Sequence, residues 1–547
     1  MKKEAVAIIT HRLSIPEDCV NHDMLHKYEI KQYNEQMCNR CPIVQHRHSD
    51  ECNSCANFLT TIKMWKSQET PNGTYYMFPN GDIDKVIKDH HVDRVIDRRP
   101  LLPMRAKLKF TGKLFDGSLV EGRPTIDQRQ LIRDWLVKGS GIICAPPRSG
   151  KTVIGCAISC LLGVKTLILT HQDDFLRQFY YTYVGNENID PFTNISDTDN
   201  SIVLIKSIKD LESNPDVALI NFQKFIRDDS AKDRILSYLN GKYSLLINDE
   251  SHHGGAFAYS KLLGSLNMKY KVGFSAQPER RDGRAEISYN FIGPVVAKAE
   301  SIAMRPKITL YETGITCKYE HYTWFGAMNY LASHKERQDM IVKQVYKDLR
   351  AGVHKVIIIP VDYLKQANDL KKKINAHEDA ELYNPSCVVA EVFSGKSKKE
   401  KILQGVENGS VRVLVAIRSM IKEGINMVAP SMMYMVVPMG ATKSREEGKN
   451  IGSPLMYQLS FRISTWAKDK PQPVVRYFID GIPWSFLCWK SIFWKEIVGN
   501  LRGDNPRYIM DPPDFERGIM LAKANQYKPL NPPGVYMPSH HILRRVK

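Results

Sequence analysis

The sequence of 547 residues lacks any apolar run of the ~18 residues that a membrane-spanning helix requires. The opening stretch, MKKEAVAIITHR, has basic residues but neither a long apolar core nor a small-residue cleavage site, so it is a poor signal peptide. Hydrophobic residues make up 43% of the chain, which is ordinary for a globular protein. We therefore expect a cytoplasmic protein, in the host cell cytoplasm if the protein is viral.

Regularly spaced cysteines are also scarce. Of the 11 cysteines, only four form a pattern, and others such as Cys144, Cys156 and Cys160 lie in apolar stretches and are interpreted as buried thiols. The sequence contains no other regular cysteine spacing that would suggest a disulfide framework. This usage suits a reducing compartment.

The four patterned cysteines follow the spacing C-x2-C-x10-C-x2-C and are Cys38, Cys41, Cys52 and Cys55. Two such pairs can place four thiolates tetrahedrally around Zn²⁺. The alternatives are two disulfides, an iron–sulfur cluster, or a zinc site in which His46 or His48 is a ligand. The segment around them, residues 1–105, looks polar and irregular. We predict a small N-terminal zinc-binding domain there, with either a substrate-recognition or a protein-docking role.

Acidic residues are too few in the second half to balance the basic ones. Residues 291–547 hold 38 Lys and Arg against 24 Asp and Glu, and the whole chain has a formal charge of +18. A surface of this kind is typical of proteins that bind a long polyanion such as nucleic acid. A solvated basic surface that serves only solubility is the alternative.

Short apolar runs that end in small or polar residues recur along the chain. GIICAPP, KTLILTH, SIVLIKS, DVALINF, SLLINDE and YKVGFSA form a first series, and KVIIIPV, CVVAEVF, VRVLVAI, YMVVPM and VVRYFID form a second. Buried strands that alternate with helical stretches predict parallel sheets. We therefore expect two α/β lobes, at 106–305 and 306–482. For the extension 483–547 no fold is predicted, and its tryptophans are interpreted as packing against the second lobe.

The stretch APPRSGKT, from Ala145 to Thr152, follows the apolar run GIIC and matches a phosphate-binding loop, with Ala in place of the first Gly. Backbone N–H groups at such a strand-to-helix turn point at phosphates. Gly150 allows close approach of the backbone. Lys151 would contact the β and γ phosphates of ATP, and Thr152 would offer a hydroxyl to Mg²⁺. The nucleotide-binding residues of the loop are Ala145, Pro146, Pro147, Arg148, Ser149, Gly150, Lys151 and Thr152.

Two adjacent acids, Asp249 and Glu250, end the run SLLIN and need a nearby positive charge. Magnesium would supply it: Asp249 would hold Mg²⁺ through water, and Glu250 would orient and deprotonate the attacking water. The carboxyl ends of parallel strands converge at one edge of a sheet, so the loop and the acid pair can face each other.

A phosphate loop followed by Asp-Glu-Ser-His resembles the superfamily 2 helicases and translocases over about residues 120–470, and it looks closest to the DNA-acting branch of excision-repair and UvsW-type phage helicases. The resemblance implies two RecA-like lobes that hold ATP between them. It also implies that Gln128 reads adenine. The stretches LILTHQDDFLRQF, LINFQKF and GFSAQPERRDG of the first lobe resemble the family's strand-contacting motifs. Together with the start of AIRSMIKEGINM in the second lobe, the resemblance implies nucleic-acid contacts for Thr170, His171, Gln178, Gln223, Ser275, Arg418 and Ser419.

In the second lobe, AIRSMIKEGINM and YQLSFRIST resemble the family's last two motifs. This implies that Gly424 and Gln458 belong to the nucleotide site and that Arg462 is the arginine finger. The final arginine of the family pattern is Thr465 here, and Arg418 is a second candidate for the missing charge.

The sequence therefore predicts an ATP-dependent, Mg²⁺-using DNA helicase or translocase that acts on single-stranded or branched DNA in replication, recombination or repair. The alternatives are a double-strand translocase without unwinding, an RNA helicase, and a scaffold that binds nucleic acid under the control of ATP.

Overall fold

A computed structural model describes residues 5–33, 59–146, 148–187, 189–195, 201–222, 235–249, 262–275, 285–317, 323–394, 399–421, 427–440, 442–443, 450–499, 507–523, 527–529 and 543–545. These residues fall into two compact units, one up to Ile302 and one from Ala303 onward. No helix in these ranges is long and apolar enough to cross a membrane.

The first described residues build regular structure: β1 (Val6–Ile9), β2 (Leu13–Pro16), β3 (Glu29–Tyr33), β4 (Leu59–Lys63), β5 (Lys66–Thr70), β6 (Gly73–Phe78), α1 (Ile83–Asp89) and β7 (Arg94–Asp97), with 3-10 turns at Glu17–Cys19 and His22–Tyr28. Five strands form a sheet in the order β5-β6-β2-β1-β7. Leu13, Ile15, Tyr28 and Phe78 are fully buried beneath it. The expectation of an irregular polar segment over residues 1–105 is therefore wrong for its described part.

A seven-stranded sheet follows in the same unit. Its elements are α2 (Gln128–Lys138), β8 (Ser140–Cys144), α3 (Lys151–Leu162), β9 (Thr166–Thr170), α4 (Asp173–Val184), β10 (Ile202–Ile205), α5 (Ile208–Glu212), β11 (Val217–Asn221), β12 (Leu245–Asn248), β13 (Tyr270–Ser275), α6 (Ala285–Phe291) and β14 (Val295–Lys298). The strand order is β10-β11-β9-β12-β13-β8-β14, and every pairing is parallel. The central strands β9, β11 and β12 are buried at every residue, as expected where both faces of a parallel sheet are covered.

Buried polar contacts join the N-terminal sheet to this lobe. Lys271, near the start of β13, is fully buried; its ammonium group contacts Asn80 Oδ1 and donates to the Phe291 carbonyl at 2.8 Å. The neighbouring Gly81 N–H donates to the Asn290 carbonyl at 2.8 Å. A Cβ atom at Gly81 would lie 2.6 Å from that oxygen, so the close approach requires glycine.

The second unit contains a six-stranded parallel sheet in the order β15-β22-β19-β16-β18-β17. Its elements are β15 (Lys307–Glu312), α7 (Trp324–Ser333), α8 (Lys335–Arg350), β16 (Ile357–Val361), α9 (Leu364–Asn375), α10 (Ala380–Tyr383), β17 (Ala390–Phe393), α11 (Lys399–Asn408), β18 (Val413–Ile417), α12 (Arg418–Ile421), β19 (Met432–Met435), β20 (Thr442–Lys443), β21 (Asn450–Gly452), α13 (Pro454–Ser460) and β22 (Val474–Ile479). The prediction of two parallel α/β lobes is confirmed.

The C-terminal extension packs on this second sheet through α14 (Pro483–Ile492), a π-helix (Phe493–Val498) and α15 (Pro512–Lys523). Its last described elements, β23 (Tyr527–Pro529) and β24 (Leu543–Arg545), pair antiparallel with each other. Trp489 is fully buried, with its ring 5.1 Å from that of Tyr477, and its indole N–H donates to the Gly518 carbonyl at 3.1 Å. Packing against the second lobe is therefore confirmed for Trp489. Trp494 is 39% exposed.

Candidate nucleotide-binding site

The carboxyl ends of the neighbouring strands β9, β12, β13 and β8 meet at one edge of the first sheet. Cys144 pairs with Ser275, and Asn248 pairs with Leu169, in the parallel register. The Ala145 N–H donates to the Ser275 carbonyl at 3.0 Å, and the Asp249 N–H donates to the Leu169 carbonyl at 3.1 Å. The start of the APPRSGKT loop and the first acid of the Asp-Glu pair therefore lie at the same edge, separated by the single strand β13.

The phosphate-type loop contains two residues with a left-handed backbone conformation. Arg148 has φ 63° and Gly150 has φ 76°, both in the left-handed region, and α3 begins directly afterwards at Lys151. The Ile154 N–H donates to the Gly150 carbonyl at 2.9 Å and closes the first helical turn. Lys151 and Thr152 lie half-buried in this turn, at the helix end where backbone N–H groups favour an anion. Pro147 lies outside the described residues.

Gln128 is the first residue of α2 and reaches this loop. Its Nε2 donates to the Ser149 carbonyl at 2.9 Å, and its Oε1 accepts from the Phe115 N–H at 3.1 Å. Only 3% of the residue is exposed. The structure thus places Gln128 against the phosphate loop, with both ends of its amide bonded to backbone groups.

The acid pair is only partly described. Asp249 is 9% exposed and directly follows β12, whereas Glu250 lies outside the described residues. A carboxylate and a hydroxyl, from Asp249 and Thr152, are hard oxygen donors of the kind that Mg²⁺ prefers. Their chemistry fits a magnesium ion at this edge.

Three of the residues predicted to contact nucleic acid lie at the same edge. Thr170 and Ser275 are fully buried at the ends of β9 and β13, and the Thr170 hydroxyl donates to the Gln172 carbonyl at 2.9 Å. His171 is buried, with its ring 5.4 Å from that of Phe175. Gln178 lies apart, on the exposed face of α4. Gln223 is outside the described residues.

In the second lobe, Arg418 and Ser419 begin α12, directly after β18. Arg418 is held by Asp362: its Nε lies 2.8 Å from Oδ1, and its Nη2 lies 2.9 Å from Oδ2. Sequence reasoning missed Asp362, which follows β16 in the string PVDYLKQ; a lone acid one residue after a buried strand was the available signal. Ser419 is exposed.

The last motif region is built around α13. Gln458 is half-buried on this helix, and Arg462, just beyond its end, is 7% exposed. Thr465, which stands where the resembled family has an arginine, is buried, and its hydroxyl donates to the Met427 carbonyl at 3.2 Å. Thr465 is therefore a structural residue of this lobe. Gly424 lies outside the described residues.

The four patterned cysteines also lie outside the described residues. Within the described ranges, no cluster of three or more His, Cys, Asp or Glu side chains could hold a metal ion. The strands on either side of the cysteine segment pair antiparallel, with Tyr33 opposite Leu59, so the backbone brings the two ends of that segment together.

The first lobe matches the model of a known protein family. Residues 122–280 match the family model described as Type III restriction enzyme, res subunit. This range contains Gln128, the phosphate loop and Asp249.

Three curated relatives are similar to parts of the chain. The DNA 3'-5' translocase XPB2 of Sulfurisphaera tokodaii is 30% identical over 31% of this chain and 34% of its own length. The DNA 3'-5' helicase XPB of Mycobacterium tuberculosis is 25% identical over 41% of this chain and 43% of its own. A protein of Escherichia phage T5 named as a probable helicase is 22% identical over 61% of this chain and 66% of its own. The chain thus spans between a third and two thirds of the length of these relatives.

Among solved structures, T4 UvsW covers 93% of this chain and 99% of its own at 14% identity, with a TM-score of 0.34, which is too low to carry an argument.

Proposed function

We propose that this protein is an ATP hydrolase of superfamily 2 that works as a DNA helicase or translocase. The observation that carries the proposal is the placement of the phosphate-type loop and Asp249 at one edge of a parallel sheet, the edge where ligands bind in such sheets. The match of residues 122–280, and the relatives named as DNA helicases and translocases, support it.

In the proposed reaction, Lys151 contacts the β and γ phosphates of ATP, the Thr152 hydroxyl would bind Mg²⁺, and Asp249 would hold the ion through water. The metal, when bound, neutralises charge that builds up on the phosphate oxygens. Glu250 orients the attacking water and accepts its proton. Arg462 is the proposed arginine finger, and Gly424 and Gln458 complete the nucleotide-binding residues.

Single-stranded or branched DNA is the proposed partner, bound mainly through its phosphates. The proposed contacts in the first lobe are Thr170, His171, Gln178, Gln223 and Ser275, and in the second lobe Arg418 and Ser419. The excess of basic residues after residue 290 supports a polyanionic partner. Replication, recombination or repair is the proposed setting, in the cytoplasm.

The cysteine segment is the proposed zinc site, with Cys38, Cys41, Cys52 and Cys55 as ligands. Their spacing and the antiparallel pairing of β3 with β4 support it, because a paired stem constrains the segment that would wrap the metal. About one zinc per chain is expected in a metal assay of the full-length protein.

One panel tests the main proposal: ATP turnover of the full chain with single-stranded DNA, duplex, fork, four-way junction and RNA. We expect stimulation by DNA, and Lys151→Ala should abolish turnover while nucleic-acid binding persists. Turnover that survives in Lys151→Ala would overturn the assignment. Binding without turnover in the parent protein would favour the ATP-controlled scaffold, and stimulation by RNA alone would favour an RNA helicase.

A further inference from the structure

Gln128 has an environment that differs from the role implied by the family resemblance. A glutamine that reads adenine must present a free donor and a free acceptor to the base. Here Nε2 donates to the Ser149 carbonyl at 2.9 Å, and Oε1 accepts from the Phe115 N–H at 3.1 Å. Since a carbonyl can only accept and an N–H can only donate, these partners also fix the orientation of the amide.

The burial of Gln128 leaves little room for a base. An amide retains one further N–H and one further lone pair after two hydrogen bonds. With 3% of the residue exposed, little of the amide is accessible to a further partner. The amide also lies directly against the phosphate loop, because a Cβ atom at Gly150 would come within 2.3 Å of Nε2.

Phe115, the second partner of the Gln128 side chain, stands at the start of a loop that ends next to Gln128. The Gln128 N–H donates to the Phe115 carbonyl at 3.0 Å while the side chain accepts from the Phe115 N–H, so Phe115 and Gln128 are joined twice. Between them, the Thr125 hydroxyl donates to the Ser118 carbonyl at 2.6 Å. The loop 115–127 is therefore tied, through one side chain, to the backbone of Ser149, two residues before Lys151.

We propose that Gln128 is a positioning residue that fastens the 115–127 loop to the phosphate loop, and that it does not select the base of the nucleotide. The inference rests on the proposed function and names a property of the same site. Loss of the contact releases the Ser149 carbonyl and loosens the backbone that cradles the phosphates. Since every nucleoside triphosphate shares those phosphates, ATP and GTP are affected equally.

The test compares Gln128→Met and Gln128→Glu with the parent protein. Methionine keeps the length of the side chain and removes both hydrogen bonds, whereas glutamate keeps an acceptor for Phe115 and sets a carboxylate against the Ser149 carbonyl. Gln130→Met is the matched control, because Gln130 is exposed on the same helix and its amide bonds to Asp134. The readouts are KM and kcat for ATP and for GTP, with calorimetric binding of their non-hydrolysable analogues.

We expect Gln128→Met to raise KM about tenfold for both nucleotides, because part of the binding free energy must then be spent on ordering the released phosphate loop. Gln128→Glu should raise KM further. In both variants kcat and the ATP-to-GTP ratio of kcat/KM should stay close to the parent values, and Gln130→Met should change nothing.

A parent preference for ATP that disappears in Gln128→Met would overturn the inference, and so would an unchanged KM in both Gln128 variants. A parent protein that already treats ATP and GTP alike would support it, provided that KM rises in the variants. Failure of the parent to bind either triphosphate would overturn the proposed function itself, which separates the two failures.

Discussion

The two lobes share an architecture, but the groups at the carboxyl edges of their sheets are arranged differently. In the first lobe, this edge carries a loop with two left-handed residues, Arg148 and Gly150, and a helix that begins at Lys151. In the second lobe, Asp480 follows β22 and forms a fully buried pair with Arg337, with Nε 2.6 Å from Oδ1 and Nη2 3.0 Å from Oδ2.

We infer from this difference that the edge of the first lobe serves ligand binding, whereas the buried pair at the edge of the second lobe stabilises the fold. Backbone in an uncommon conformation at a helix start is a feature of ligand sites. An arginine and an aspartate that satisfy each other inside a core, with the Thr313 hydroxyl donating to Asp480 at 2.7 Å, serve the fold of the lobe. The same substitution, aspartate to asparagine, should therefore lower the stability of the protein at Asp480 and lower ATP turnover at Asp249.

The largest effect is expected for Asp480→Asn. It leaves the buried Arg337 guanidinium without its counter-charge, which typically costs about 3 to 5 kcal/mol. Urea unfolding followed by tryptophan fluorescence should show this loss. The control is Asp339→Asn on the same helix as Arg337: Asp339 is mostly exposed and pairs with Lys373, so its loss should cost under about 1 kcal/mol. If the two substitutions lowered the free energy of unfolding equally, the buried Arg337–Asp480 pair would contribute no more to stability than the exposed Asp339–Lys373 pair.

Asp249→Asn comes next and should act on turnover. Asparagine nearly preserves the shape of the residue but would weaken the proposed hold of Asp249 on Mg²⁺, so ATP turnover should fall about 100-fold, or about 3 kcal/mol of transition-state stabilisation. The midpoint of unfolding should stay near that of the parent protein. Asp174→Asn, on the exposed start of α4, is the control. A protein that loses stability and retains its turnover would contradict the proposed role of Asp249.

Much of this architecture could be predicted from the sequence. Apolar runs such as KTLILTH and KVIIIPV coincide with β9 and β16, because a strand covered on both faces is mostly apolar. The grouping of the phosphate loop with Asp249 followed from the parallel order alone. The prediction of a strand at YMVVPM was less accurate, because the strand, β19, spans Met432–Met435 and so begins two residues before Tyr434.

Other features could not be predicted, for identifiable reasons. The N-terminal strands β1 and β2 are only four residues long and half-buried on alternate positions, so their pattern is weak. The partners of Gln128, Lys271 and Arg418 lie 13 to 191 residues away in sequence. Such hydrogen bonds depend on the relative placement of separate elements, and local periodicity does not contain that information.

At the opposite end of the first sheet, Lys271 joins the N-terminal sheet to the lobe. Burial, with Arg99 and Arg12 nearby, lowers the pKa of Lys271 to about 7. The unfolded chain, with a lysine pKa of about 10.4, binds the proton more readily, so stability should rise by about 2 kcal/mol between about pH 7 and about pH 8.5.

Lys271→Met should flatten this dependence, because methionine does not titrate. Urea unfolding midpoints across that pH range provide the measurement. Lys269→Met is the matched control, since Lys269 is partly exposed and lies 3.8 Å from Asp97. A parent protein whose stability is flat over this range, or a Lys271→Met variant that keeps the slope, would show that Lys271 does not titrate in the folded protein.

The smallest effect is expected for Asp362→Asn, although Asp362 also pairs with an arginine at the edge of the second sheet. The side chains of Asp362 and Arg418 are 27% and 21% exposed, and burial raises the pKa of Asp362 against the influence of Arg418. A partly hydrated pair of this kind contributes under about 1 kcal/mol, so the unfolding midpoint should barely move.

Release of Arg418 from its carboxylate should instead strengthen binding of a single-stranded oligonucleotide about two- to threefold at low salt, and added salt should erase the gain. Fluorescence anisotropy across a salt series measures this, with Arg418→Met as the opposing variant. Destabilisation as large as that of Asp480→Asn would mean that both pairs serve the fold, and that Arg418 is not available to a nucleic-acid strand.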